Sequence, residues 1–163
     1  GSRQVSYQFK LYDLNNLFIT SKSGTTFILP RETKYIIEPK VFSPSLVSKI
    51  TFDFAQIQWE KLENYQKPQI DIFDKKYQIL REGAVFSQAS GIIKNSSPFD
   101  FERIKIIVVL FNEKDEPLAV NSTEIQTLLA RQERYFVIPW FFEILGNVSK
   151  LEIEAQTNVF KPD

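Results

Sequence analysis

The segment "QFKLYDLNNLFITSKSGTTFILP", residues 8–30, returns later in the chain as "IVVLFNEKDEPLAVNSTEIQTLL", residues 107–129. In each, an alternating apolar run stops at a turn rich in Asn and Asp, and a second run of strand formers follows. Leu11-Tyr12-Asp13 falls on Leu110-Phe111-Asn112, and Phe27-Ile28-Leu29 on Thr127-Leu128-Leu129. The match continues with Tyr35-Ile36-Ile37 and Pro39 against Tyr135-Phe136-Val137 and Pro139, then Val47-Ser48-Lys49-Ile50 against Val148-Ser149-Lys150-Leu151. Order and spacing repeat as well as composition, which is the mark of an internal duplication.

Each copy has the periodicity of antiparallel β structure. Val5, Tyr7, Phe9 and Leu11 alternate with Ser6, Gln8 and Lys10, the period-two pattern of a strand with one buried face. "DLNN" and "NEKDEP" supply hairpin chemistry, because Asn and Asp tolerate left-handed backbone and Pro restricts φ. Further strands are predicted around Phe27 to Leu29 and Tyr35 to Ile37, with "VSKITFDF" closing the first copy as "VSKLEIEA" closes the second. The one segment where a short helix competes is "STEIQTLLARQERY", residues 122–135; its counterpart carries Gly24, Thr25, Thr26 and Pro30, so both are read as strand and turn. Several short strands at regular spacing, with no long helical period, predict an all-β chain of two tandem β-sandwiches. The polar stretch "QWEKLENYQKPQIDIF" lies between the copies. The predicted boundaries are therefore a first sandwich over residues 1–60, a linker over 61–68 and a second sandwich over 69–163. Buried parity flips where Ile50, Phe52 and Phe54 give way to Ile57 and Trp59, which predicts a bulge or a crossing near Ala55.

The copies differ in three ways that bear on function. Residues 76–101, "KYQILREGAVFSQASGIIKNSSPFDF", hold two more strand-like runs before the second copy, whereas the first copy starts at its equivalent of Phe101. The first sandwich is thus expected to lack its N-terminal strands as supplied, leaving an open edge along Val5, Tyr7, Phe9 and Leu11; either those strands precede residue 1 or another chain fills the gap by strand addition. Ile107, Val109 and Phe111 make one strand apolar on its second side as well; together with Trp59 they are the expected interdomain face. In "PWFFEI", Trp140, Phe141 and Phe142 are consecutive and cannot all point inward from a strand, so they are the candidate interaction surface.

Composition narrows the chemistry. Lys plus Arg equals Asp plus Glu at 20 each, with no basic run, so the electrostatic footprint of a nucleic-acid binder is missing. His and Cys are both absent, which removes imidazole proton shuttles, thiol nucleophiles, disulfides and nearly all zinc ligand sets. No cofactor or metal is expected. Met is absent too, so the chain is expected to be a fragment or processed product, with Gly1-Ser2 a tag scar or native linker. Carboxylate groupings at Asp71 with Asp74, at Glu113 with Asp115 and Glu116, and at Glu152 with Glu154 have spacing compatible with glycosidase-type acid and base work. A solvated surface accounts for each of them. The Asn-x-Ser/Thr sequons at Asn95, Asn121 and Asn147 are read as coincidental.

The phrases "FKLYD" (9–13), "FILPRETKYIIE" (27–38) and "GIIKNSSPFDFERIKIIVVLFNEKDE" (91–116) resemble FxLYD-type domains. These are small immunoglobulin-like sandwiches similar to water-stress and late-embryogenesis-abundant type 2 domains. "ENYQKPQIDI" and the closing "QTNVF" resemble a bacterial group in which two such sandwiches follow one N-terminal transmembrane helix. The resemblance implies an extracytoplasmic envelope protein, membrane-anchored upstream of residue 1, with structural roles for Phe9, Leu11, Tyr12 and Asp13. The expected function is non-catalytic: binding, adhesion or assembly with a protein partner or neighbouring envelope component, oligomeric state unspecified. The rivals are a carboxylate-based hydrolase acting on envelope sugar and a purely structural spacer.

Overall fold

A computed structural model describes residues 1–39, 41–80 and 83–160. Among them the strands are β1 (Ser2–Tyr12), β2 (Phe18–Ile28), β3 (Lys49–Phe54), β4 (Ile70–Ile79), β5 (Ser87–Asn95), β6 (Phe101–Phe111), β7 (Pro117–Leu128), β8 (Glu133–Trp140) and β9 (Lys150–Gln156). No helix occurs among the described residues, so none is long and apolar enough to cross a membrane. All strand pairs are antiparallel, in three sheets ordered β2-β1-β3, β4-β5-β8 and β7-β6-β9. The chain divides into two compact units, Gly1–Tyr65 and Gln66–Asp163.

The duplication is carried into the register. Leu11 pairs with Thr20 and Ile50, and its counterpart Leu110 with Ala119 and Leu151. The hairpin turns match in detail. Asn16 and Asp115 both adopt φ 58, and their N–H groups donate to the carbonyls of Asp13 and Asn112, each at 3.1 Å. Asp13 Oδ1 accepts from the N–H of Asn15 and Leu17, as Asn112 Oδ1 accepts from those of Lys114 and Glu116. Asn and Asp satisfy both demands of this loop: a short acceptor at its start and tolerance of the left-handed residue that forms its bulge. The register shift follows in both copies, between Leu11 and Tyr12 and between Leu110 and Phe111.

A second turn is duplicated too. Arg31 (φ 57) and Arg131 (φ 65) occupy the left-handed region. Glu32 Oε2 accepts from Leu29 N–H at 3.1 Å and Gln132 Oε1 from Leu129 N–H at 2.9 Å. Beyond this turn the copies part. Residues 133–140 form β8 against β5, whereas the predicted strand at Tyr35 to Ile37 is absent: residues 32–39 have no strand assignment. A strand is defined by its ladder, and among the described residues of unit 1 no strand equivalent to β5 supplies one. Near Ala55, where a bulge or a crossing is expected, β3 ends at Phe54 and residues 55–69 lie outside any sheet, so the parity change falls where the strand ends.

In unit 2 both sheets contribute to one core. Ala89 and Ile93 of β5, Phe136, Ile138 and Trp140 of β8, Ile104, Ile106, Val108 and Leu110 of β6, and Ile125 and Leu128 of β7 form a single buried cluster. Each fully buried Ile or Leu stabilises by about 1.5–3 kcal/mol relative to exposure. Gly91 keeps the layer thin at one point, since a Cβ there would lie 3.0 Å from Phe136 Cζ and 3.2 Å from the Phe73 carbonyl.

Candidate docking face

Parity puts Val5, Tyr7, Phe9 and Leu11 of β1, and Ile50, Phe52 and Phe54 of β3, on the face whose unit 2 counterparts make the core. The rings confirm the shared side. Phe9 and Phe52 lie 4.7 Å apart between centroids, Phe52 and Phe54 4.6 Å, and Tyr7 stands 5.8 Å from Phe9 and 6.0 Å from Phe52. Aromatic pairs at such separations add about 0.5–1.5 kcal/mol each. Val5, Tyr7 and Leu11 of β1 are buried, and exposure separates the copies along β3. Ile50, Phe52 and Phe54 are 60%, 39% and 45% exposed, whereas Leu151, Ile153 and Ala155 are packed against the unit 2 core.

A polar contact sits within this apolar face. The Tyr7 hydroxyl donates to Glu38 Oε1 at 2.6 Å, and Lys22 Nζ lies 3.9 Å from Glu38 Oε2. The matching positions in unit 2 are Ile106 and Ile138, both in the core. Burial, then the hydrogen bond and charge of Glu38, raise the Tyr7 phenol above its ordinary range. Gly24 leaves room for the pair, because a Cβ there would lie 2.4 Å from the Tyr7 hydroxyl and 2.5 Å from Glu38 Oε1 and one of them would have to shift. An open groove of about 690 Å³ is lined mainly by Ser6, Gln8, Ser23, Thr25 and Asp53, which by strand parity lie on the opposite, polar side of the sheet.

The sequence-predicted residues are dispersed. Val5, Tyr7, Phe9 and Leu11 are no open edge: β1 is the central strand, paired with β2 from Val5 onward and with β3 from Tyr7 onward. Alternation marks a half-buried strand but carries nothing about how many neighbours it has. Trp140 points into the unit 2 core, and Phe141 and Phe142 are exposed in the bend that follows β8. Trp59 is 64% exposed; Ile107 and Val109 are buried and Phe111 partly so.

The carboxylates are spread over the surface. Asp71 accepts from Ser96 Oγ at 2.6 Å, Glu116 from Asn112 Nδ2 at 2.7 Å, and Lys150 Nζ lies 2.9 Å from both Asp115 and Glu152. No group of three potential metal-binding side chains occurs among the described residues.

Asn95, read as a sequon, is a buried hub. Its Nδ2 donates to the carbonyls of Phe99, Leu128 and Leu129, and its Oδ1 accepts from Ser97 N–H. Its position at the end of the apolar run "SGIIKN" is the one signal in the sequence that it closes a strand. Nothing local marked Glu38, whose role depends on Tyr7, 31 residues away. No family model, curated protein or solved structure matches the chain.

Proposed function

We propose that the chain is a non-catalytic binding or assembly module. In this reading unit 2 is a complete immunoglobulin-like sandwich and the described part of unit 1 is half of a second one, whose partly exposed β3 side chains meet a protein partner. One observation carries it: unit 1 repeats the sheet β7-β6-β9 as β2-β1-β3, and its Phe52 and Phe54 stay partly exposed where their unit 2 counterparts Ile153 and Ala155 are packed against the core. Partly exposed aromatic side chains grouped on one sheet suit contact with another protein surface. The resemblance to FxLYD-type envelope proteins supports an extracytoplasmic setting, with membrane attachment through an upstream anchor.

Replacing Phe52 and Phe54 together with Ser should abolish partner capture from an envelope extract while leaving the thermal transition of unit 2 in place. Retained capture of the same partner overturns the assignment of the face. Hydrolysis of envelope polysaccharide that is lost on Asp71→Asn or Glu113→Gln would favour the enzyme instead.

A further inference from the structure

We propose that the tip of unit 1 built by the β1–β2 turn and the loop before β3 is a membrane-contacting surface, which inserts Leu14, Leu17, Phe18 and Leu46 into the interface of a bilayer with anionic headgroups. These four side chains are each 59–74% exposed. Leu14, Leu17 and Phe18 belong to the β1–β2 turn, and Ser48, two residues after Leu46, donates from its N–H to the Tyr12 carbonyl and from its Oγ to the Asp13 carbonyl. The two segments therefore share one end of the sheet. Unit 2 shows that their exposure is a property of the position: the counterparts Glu113, Glu116, Pro117 and Asn147 are exposed although both sheets are present there. Completing unit 1 with a second sheet would leave this tip in solvent.

The fold does not require hydrocarbon at these positions. The same turn, with the same left-handed residue and the same bonds to its first side chain, is made in unit 2 with Glu113 and Glu116. Single exposed leucines are ordinary, but grouped at one tip they mark a surface that meets something apolar. Charge names the occupant. Residues 14–20 and 41–48 contain no charged side chain, and the acid beside them, Asp13, has its Oδ1 turned onto the N–H groups of Asn15 and Leu17. Lys49 stands just behind, its Nζ 5.8 Å from the Tyr12 ring centroid, where a cation is drawn to anionic headgroups. The unit 2 turn, with Glu113, Asp115 and Glu116, would be repelled by them. Backbone accounting agrees, since the N–H groups of Asp13, Asn15, Asn16 and Leu17 are all paired within the turn. Little unsatisfied polarity is then carried into the lipid. Side chains that stand clear of their neighbours also suit a fluid, which needs no matching shape.

The test uses the 163-residue chain and vesicles of phosphatidylglycerol and phosphatidylcholine in equal parts. Leu17→Trp in a Trp59→Phe background reports insertion, because Trp140 is buried. On addition of vesicles its emission should shift to the blue and be quenched by lipids brominated near the headgroup. Leu14→Glu with Leu17→Glu gives the turn the residues unit 2 already uses; it should keep the thermal transition and weaken co-sedimentation with vesicles about tenfold or more. Lys49→Gln should weaken it about fivefold. No blue shift at millimolar lipid, or equal co-sedimentation of the original and the doubly substituted protein, overturns the proposal. Binding that neither Lys49→Gln nor pure phosphatidylcholine alters overturns the anionic preference. A blue shift that grows with protein concentration in the absence of lipid overturns the lipid assignment in favour of a second copy of the chain.

Discussion

The sheets β2-β1-β3 and β7-β6-β9 share strand order, register, hairpin turn and bulge position, yet one face is a sealed core and the other carries Phe52 and Phe54 partly in solvent. A three-stranded sheet is therefore specified locally, by alternation and turn chemistry. The opposing layer is specified by other elements. In unit 2 Ile106 and Ile138 are both buried in the hydrocarbon core; at the matching positions in unit 1, Tyr7 and Glu38 meet as a hydrogen bond.

Exchanging these pairs should break the comparison most sharply. Ile138→Glu places an unpartnered carboxylate in the unit 2 core and should cost on the order of 4 kcal/mol or more. The reciprocal Glu38→Ile leaves the buried Tyr7 hydroxyl without its partner and should cost less, about 1–3 kcal/mol. Urea unfolding of the Trp59→Phe protein, followed by Trp140 fluorescence, reads the first; amide exchange in β1 and β2 reads the second. Comparable losses would mean that unit 1 is as sealed as unit 2.

Asn95→Ala comes next. It leaves three carbonyls and one N–H without their partner, and should cost about 2–4 kcal/mol in the same unfolding experiment. Gly24→Ala should cost about 1–3 kcal/mol by forcing the Tyr7–Glu38 contact apart. In the Tyr7→Phe background, where the nearest clashing atom is gone, the penalty should shrink.

The same pair gives unit 1 a pH signature. A folded-state phenol held above its ordinary value of about 10 keeps its proton after the unfolded chain has lost it. The stability that Tyr7 contributes is therefore complete below that pH and falls as pH rises above it. Tyr65, raised by burial and by Glu32, adds to the slope in the same direction. Alkaline unfolding of unit 1, monitored by amide exchange, should flatten in Tyr7→Phe. An unchanged slope would show that the Tyr7–Glu38 contact does not persist in solution. The smallest effect belongs to Phe141→Ser and Phe142→Ser, both at exposed positions, which should each change stability by no more than about 0.5 kcal/mol.

Legibility in the sequence followed the range of the interaction. The paired strands on either side of "DLNN" and "NEKDEP" were readable because their signals are local: parity, turn acceptors and left-handed Asn or Asp. The centrality of β1 was not, since alternation is the same for a strand with one neighbour or two. Tyr35 to Ile37 reads as a strand from composition, but a strand forms only where a partner presents its ladder, and β5 has no counterpart among the described residues of unit 1. Glu38 and Asn95 escaped for a related reason. Each acts through contacts with other elements, and a carboxylate or a sequon in isolation reads as surface. The doubled apolar character of Ile107 and Val109 did signal burial on both sides of β6.

Residue-resolved amide hydrogen exchange across the two matching segments tests the central claim most directly. Residues 134–139, laddered to β5, should exchange orders of magnitude more slowly than residues 34–39, which should exchange within seconds to minutes in the isolated chain. Equal protection of both segments would contradict the account, because it would mean that residues 34–39 already have a ladder in unit 1.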